Sequence, residues 1–349
     1  MEIICIALAL LLAAANGAND NGKGIATLAG AGVTSYRKAL WWAHCSTLAG
    51  ALLSGFLASR MLKLFSSGIV SAKPTPEFTI AVLLGAAGWV LIATATKLPV
   101  STTHAIVGAL IGAGFIFAPG SVQASVLLWR VALPLLLSIG VSYTLSATLN
   151  YLLSAAPECT CVRLTALEAS GVHIPQLTVV QADAAECRAH NNFLALNINS
   201  LHWLSSGLVG AARGLNDAPK VTAIALAVVG AAGVAPGGLL VLLSLAMFAG
   251  GVAGGARVAR RMGNDVIKMS HREGAFANVV TSTLIILGAC LGWPMSTTHV
   301  STGAIVGVAR GNVGKLNRKT LRDFLLAWTV TPVTAALIGA TVYYVMTRF

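Results

Sequence analysis

Charge is scarce in this chain. Its 23 Lys and Arg and 11 Asp and Glu make up only 10% of 349 residues, against about 25% in an ordinary soluble domain. So little charge cannot cover a water-facing surface, which excludes the soluble globular classes. Disorder is excluded as well, since disordered chains are polar and strongly charged. Cysteine is also sparse: six residues scattered over this length do not make a disulfide scaffold. What the chain has in quantity is apolar residues, 56% of the total, and 36 glycines. Lipid offers no hydrogen-bonding partners, so only helices or closed barrels can cross it. The apolar runs here are continuous rather than alternating, which predicts an all-α polytopic membrane protein, and the glycines suit helices that pack closely in lipid.

A crossing takes about 20 residues. The sequence predicts spans near Trp41–Leu57, Phe78–Ala95, Val122–Leu153, Phe193–Ala212, Gly237–Val258, Ala275–Leu291 and Phe324–Met346. Two segments depart from this pattern. Ile3–Ala15 is apolar but short for a crossing, and a polar stretch from Asn16 to Gly24 follows it; no positive n-region or cleavage site marks it as a signal peptide. Leu98 to His104 interrupts another membrane-like stretch. Both read as broken helices or re-entrant hairpins.

The formal charge of +12 points first to an anionic partner, but its distribution argues otherwise. Arg257, Arg260, Arg261, Lys268 and Arg272 fall in one short loop, and Arg310, Lys315, Arg318, Lys319 and Arg322 in another. The positive-inside bias places both in the cytoplasm with the Arg37-Lys38 turn. The excess is then a topology signal of a plasma-membrane protein with no nucleic-acid role, and both termini are expected on the extracytoplasmic side.

The chain also repeats itself. Asn19-Asp20-x-x-Lys23 returns 197 residues later as Asn216-Asp217-x-x-Lys220, and Pro99-x-Ser101-Thr102-Thr103-His104 returns 195 residues later as Pro294-x-Ser296-Thr297-Thr298-His299. The basic loop at 310–322 corresponds to an uncharged 115–127, and Arg37-Lys38 to the uncharged Val234-Ala235. Equivalent loops of opposite character belong on opposite sides, so the expected architecture is two inverted-topology repeats, 1–153 and 191–349, joined by a polar connector at 154–190. The stretch at 62–77 fits less cleanly, because Lys63 and Lys73 remain in it. In the connector, Cys159, Cys161, His173, Cys187 and His190 fit no trusted zinc spacing and read as ordinary loop residues.

Nine of the 11 acidic residues lie at the N-terminus, in loops or at span ends. Asp20 and Asp217 alone lie inside membrane-like regions, as repeat equivalents. A carboxylate at that depth is costly and normally functional and paired. Together with the amide oxygens of Asn19 and Asn216 they could ligate a hard cation such as Na⁺ or exchange a proton. The structural alternative is a pair of salt bridges to Lys23 and Lys220, one helical turn on. Ser101, Thr102, Thr103 and Ser296, Thr297, Thr298 each follow a proline that cannot continue a preceding helix. They mark the start of a half-helix, whose free N–H groups and positive dipole end suit an oxyanion. His104 and His299 are read either as hydrogen-bonding support for the hydroxyls or as cation ligands.

Gly17-Ala18-Asn19-Asp20, Gly214-Leu215-Asn216-Asp217 and the twin Pro-x-Ser-Thr-Thr-His motifs resemble the inorganic phosphate transporter family of secondary carriers, which includes some sulfate permeases. The resemblance implies an inverted-repeat fold with re-entrant hairpins and Na⁺- or H⁺-coupled phosphate uptake by alternating access. It maps the family's Asn-Asp pairs onto Asn19/Asp20 and Asn216/Asp217, and its hairpin hydroxyls onto Ser101–Thr103 and Ser296–Thr298. Arg213 departs from it, standing where the first half has Asn16. The sequence therefore predicts a cation-coupled phosphate symporter with no cofactor beyond the coupling ion. Lys23 and Lys220 are expected to balance the carboxylates. The rivals are a sulfate permease on the same fold, a passive channel, and an intramembrane hydrolase built on Asp20, Asp217, His104, His299 and a metal, for which an inverted duplication has no evident use. Gly250, Gly251, Gly254 and Gly255 are expected to line a close helix contact, within one subunit or between two copies of a homodimer.

Overall fold

The computed structural model describes residues 1–20, 22–154, 159–169, 172–182, 194–265, 269–309 and 318–349. Its membrane part is helical. In chain order the helices are α1 (Glu2–Asp20), α2 (Gly22–Gly30), α3 (Tyr36–Leu57), α4 (Ser59–Lys63, continued by a π-helical turn at Leu64–Gly68), α5 (Pro76–Ala95), α6 (Thr102–Phe117) and α7 (Ala124–Leu152). After the connector come α8 (Ile198–Val229), α9 (Pro236–Asp265), α10 (His271–Leu291), α11 (Thr297–Val308) and α12 (Arg318–Arg348). Local chemistry sets several starts. Thr75 accepts the Phe78 N–H ahead of Pro76 at the first turn of α5, and Ser270 with Glu273 forms a capping box on α10.

Among the described residues, seven helices are long and apolar enough to cross a bilayer: α1, α3, α5, α7, α9, α10 and α12. Six of them match predicted spans. Two expectations need correction. The first apolar run is not too short, because the helix continues from Ala15 through Asn16, Gly17, Ala18 and Asn19 to Asp20. Conversely, the span expected at Phe193–Ala212 is the first half of α8. This helix runs unbroken for 32 residues through Asn216, Asp217, Pro219 and Lys220, and is not among the seven. In both cases polar side chains stay helical because neighbouring elements supply their hydrogen bonds. Polarity is inside out for water: Phe56, Leu136 and Leu337 are exposed while Asp20, Arg213, Asp217 and Lys220 are buried. That arrangement suits lipid outside and a polar site within.

The two motif-bearing hairpins are α5–α6 and α10–α11. At ~1.5 Å per residue, α6 spans about 24 Å and α11 about 18 Å, short of the ~30 Å hydrocarbon core, so their tips turn inside the bundle. Both tips use the same turn. Leu98 N–H bonds to Ala93 O and Trp293 N–H to Gly288 O, each at 2.8 Å, around a left-handed residue: Lys97 (φ 59°) in one and Gly292 (φ 76°) in the other.

Close helix contacts are reciprocal. A Cβ on Gly17 of α1 would overlap the Met247 carbonyl of α9, and one on Gly214 of α8 would overlap the Thr47 carbonyl of α3. Gly108 of α6 lies against the Pro332 backbone of α12, and Gly303 of α11 against the Ile139 backbone of α7. Gly250 and Gly254 pack on Ala14 and Ala18 of α1, inside one chain.

The connector, expected as loop, contains strands β1 (Cys159–Ala169) and β2 (Val172–Ala182); with β3 (Leu194–Asn197), which lies just beyond it, they form an antiparallel sheet ordered β2-β1-β3. Register pairs Cys159 with Ala182 and with Asn197. Cys159 is disulfide-bonded. Cys187 and His190 lie outside the described residues, as do Lys268, Arg310 and Lys315 of the basic loops.

Candidate functional site

The polar residues of α1 and α8 meet the tips of both hairpins in the centre of the bundle. Ser101 and Ser296 are the N-caps of α6 and α11, and each accepts the N–H three residues on, His104 and His299, at 3.3 Å. A serine directly after the Pro-x turn can leave the helical conformation while its hydroxyl satisfies one of the orphan donors. The remaining N–H groups of each first turn have no partner within their own helix.

The threonines behind the caps divide into two pairs. Thr103 donates to Met295 O and Thr298 donates to Val100 O, both at 3.3 Å, so each hairpin binds the backbone of the other hairpin's tip. Thr297 donates to Asp20 Oδ2 at 2.8 Å. Thr102 accepts from Asn16 Nδ2 at 2.8 Å, and the same amide reaches Asp217 Oδ2 at 3.1 Å. The hydroxyl motifs and the carboxylates, identified separately in the sequence, are thus one constellation.

Two cations complete it. Lys220 is fully buried; its Nζ lies 3.0 Å from Asp217 Oδ1 and 2.5 Å from Thr103 Oγ1. Arg213 Nε lies 3.4 Å from Asp20 Oδ2 and 3.9 Å from Asp217 Oδ2, and its Nη2 binds the Asn16 carbonyl at 3.0 Å and the Asn16 side-chain oxygen at 2.5 Å. Among the described residues, these two carboxylates and two cations sum to zero, which suits buried charge. The sequence predicts Lys23 and Lys220 as the balancing cations and marks Arg213 only as a departure beside the site; the structure places the Arg213 guanidinium on Asp20. Its signal was present: Arg213, Asp217 and Lys220 fall at i, i+4 and i+7, on one face of α8. The Lys23 side chain lies outside what the structure describes.

The two Asn-Asp pairs are not used alike. Asn19 ties α1 to the first tip, donating to Thr94 Oγ1 at 3.0 Å and to Leu98 O at 2.9 Å, and accepting the Val100 N–H at 3.0 Å. Asn216 donates to Asp217 Oδ1 at 2.8 Å and Met295 O at 3.0 Å, while its own side-chain oxygen, fully buried, accepts no hydrogen bond from the described residues. A buried amide oxygen left over beside a carboxylate is an acceptor suited to a hard cation. Asn19 and Asn216 were expected to act as equivalents; their geometry differs because Asn19 faces the Val100 N–H and Asn216 the Met295 carbonyl.

His104 and His299 meet each other, with ring centroids 4.7 Å apart. His299 also contacts the Trp328 ring at 4.2 Å and places Nδ1 3.2 Å from Leu135 O. Trp328 and Leu135, on α12 and α7, gave no sign of this in the sequence. Among the described residues no group of three His, Cys, Asp or Glu is arranged to hold a metal, so the metal-hydrolase constellation does not assemble there.

The model of the phosphate transporter family matches residues 16–339. A probable low-affinity inorganic phosphate transporter of Mycobacterium tuberculosis is 29% identical, over 98% of this chain and 76% of its own length. One of the same description from Rhizobium meliloti is 26% identical, over 97% of this chain and 94% of its length. A solved structure described as the sodium-dependent phosphate transporter superposes with a TM-score of 0.82 at 23% identity, covering 99% of this chain and 98% of that one. The likeness to the solved structure shows the shared fold.

Proposed function

This chain belongs to the phosphate transporter family, a family of membrane carriers rather than enzymes, and on that premise we propose that it is a cation-coupled symporter of inorganic phosphate working by alternating access. The observation that carries the proposal is the neutral, buried cluster of Asp20, Asp217, Arg213 and Lys220 interleaved with threonines from both hairpins. A coupling cation at either carboxylate competes with Arg213 and Lys220 for the same oxygens, with the Asn216 side-chain oxygen as a further ligand. The displaced guanidinium and ammonium, the hydroxyls of Thr102, Thr103, Thr297 and Thr298, and the first-turn N–H groups of α6 and α11 then hold the anion. Ser101 and Ser296 keep those first turns open toward it. Phosphate is drawn in where the cation has already been taken up, because bare carboxylates would repel it. Sodium is the first cation to test, since the solved neighbour is described as sodium-dependent.

The matching contacts of Gly17 (α1 on α9) and Gly214 (α8 on α3), and of Gly108 (α6 on α12) and Gly303 (α11 on α7), support reading residues 1–153 and 191–349 as inverted repeats, with 154–190 joining them. In that reading each hairpin packs on the last helix of the other half, and rocking of one unit against the other would expose the site to either side. Both termini would then lie on the extracytoplasmic face of the plasma membrane. A homodimer has no support from Gly250 and Gly254, which are used inside one chain.

Labelled phosphate uptake into proteoliposomes tests the proposal, with an inward Na⁺ gradient, a proton gradient or neither, and excess unlabelled sulfate as competitor. Sodium-driven uptake indifferent to sulfate is expected. Uptake blocked by sulfate would reassign the anion, and flux independent of every cation gradient would make the protein a passive pathway.

A further inference from the structure

The transport site does not use the basic residues that left 62–77 a poor match to the charge pattern of the repeats. Arg60 and Lys63 of α4 stand with Arg130 of α7 around a cavity of about 610 Å³, also lined by Ser67, Val126 and Leu291. All three cations are exposed, and among the described residues none is in an ion pair. They sit at the end of α3 away from Arg37 and Lys38, so the positive-inside bias that accounts for that turn does not account for them.

An apolar groove of about 360 Å³ shares Leu291 with this cavity and runs down the bundle surface between α7 and α10, along Leu133, Leu137, Val141, Leu284 and Leu287. Trp129 and Trp293 line the groove and are largely exposed, at 65% and 46%. Exposed tryptophans between a basic pocket and an apolar surface suit a place where a polar group meets an apolar one. The pocket also abuts the second hairpin tip, since a Cβ on Gly292 would come within 2.8 Å of the Arg60 Cβ.

We propose that Arg60, Lys63 and Arg130 bind the phosphodiester of an anionic phospholipid whose acyl chain lies in the α7–α10 groove, in the leaflet opposite the Arg37-Lys38 turn. Three cations with no carboxylate partner call for an anion, and an apolar groove continuous with them calls for a chain attached to it. A free inorganic ion would leave the groove unexplained. A lipid wedged beside Gly292 would brace the tip that carries Ser296, Thr297 and Thr298. The inference stands on the membrane fold and the two cavities, and it is independent of which substrate is carried.

Purified full-length protein in detergent would be titrated with phosphatidylglycerol and with phosphatidylcholine of the same chains. Retained lipid is read by native mass spectrometry and stabilisation by thermal unfolding. The wild type is expected to retain phosphatidylglycerol selectively. Arg60→Gln/Lys63→Gln/Arg130→Gln should weaken it on the order of 100-fold, and Arg60→Lys/Lys63→Arg/Arg130→Lys should keep it. Should the triple variant fail to fold, Lys63→Gln alone is expected to weaken binding roughly fivefold. Equal retention by wild type and the charge-removing variants would overturn the proposal. So would displacement of the lipid by equimolar inorganic phosphate, which would make the pocket a site for the free ion.

Discussion

Replacing Arg213 with Gln removes one of the two cations that neutralise the buried carboxylates, and its consequences can be worked from the distances. The guanidinium Nε lies 3.4 Å from Asp20 and 3.9 Å from Asp217. A coupling cation on either carboxylate would sit about 5 Å from it, and at an effective dielectric near 20 that repulsion is about 3 kcal/mol. Arg213→Gln should therefore lower the half-saturating sodium concentration by about two orders of magnitude. Phosphate should respond in the opposite sense, because a charge-assisted hydrogen bond contributes about 1.5–3 kcal/mol, and its KM should rise roughly tenfold or more. Initial uptake rates in proteoliposomes give both constants, and the sodium-dependent shift in thermal unfolding of the detergent-solubilised protein gives the first without transport. Asp20→Asn combined with Arg213→Gln should be less destabilised than the single variants suggest when added, since breaking a buried pair costs about 3–5 kcal/mol largely through the charge left behind. An unchanged sodium dependence, with only a loss of stability, would show that Arg213 is a strut and refute this account of coupling.

Four further expectations follow from the same geometry. Asp20→Asn should abolish coupled uptake while leaving folded protein in the membrane; uptake that still follows the cation gradient would rule out Asp20 as the coupling site. Ser296→Ala removes an N-cap and should cost about 1 kcal/mol of stability; thermal unfolding beside uptake rates will show whether transport falls further than that loss explains. Gly214→Leu drives a side chain into the Thr47 carbonyl of α3 and should cost about 3 kcal/mol or more, visible as a large drop in Tm or in membrane yield. Lys97→Gly relieves a left-handed conformation at the first hairpin tip and should raise stability by about 1 kcal/mol, with a correspondingly higher Tm and unchanged KM for phosphate.

Much of the membrane fold was legible in the sequence because composition reports the solvent directly. A chain with so little charge suits lipid, and the two carboxylates inside membrane-like stretches, Asp20 and Asp217, are buried together in the bundle. The errors came where local polarity was taken for a break in structure. Asn16 to Asp20 and Asn216 to Lys220 remain helical, since a helix satisfies its own backbone and needs only neighbours for its side chains. The three-stranded sheet escaped notice because a short polar stretch between long apolar ones carries little periodicity to read.

The sequence by itself determined the solvent, the recurrence of both motifs and the residue types at the centre, because each follows from composition or spacing along one chain. Which atoms meet was decided only by the tertiary structure. Thr297 finds Asp20 across 277 residues and Arg213 finds Asn16 across 197, through close helix packing that no local window contains. The two Asn-Asp pairs read identically in sequence, yet one is tied to a backbone N–H and the other keeps a buried oxygen to spare. What faces each of them comes from the hairpin tip of its own half: the Val100 N–H donates to Asn19, whereas the Met295 carbonyl accepts from Asn216.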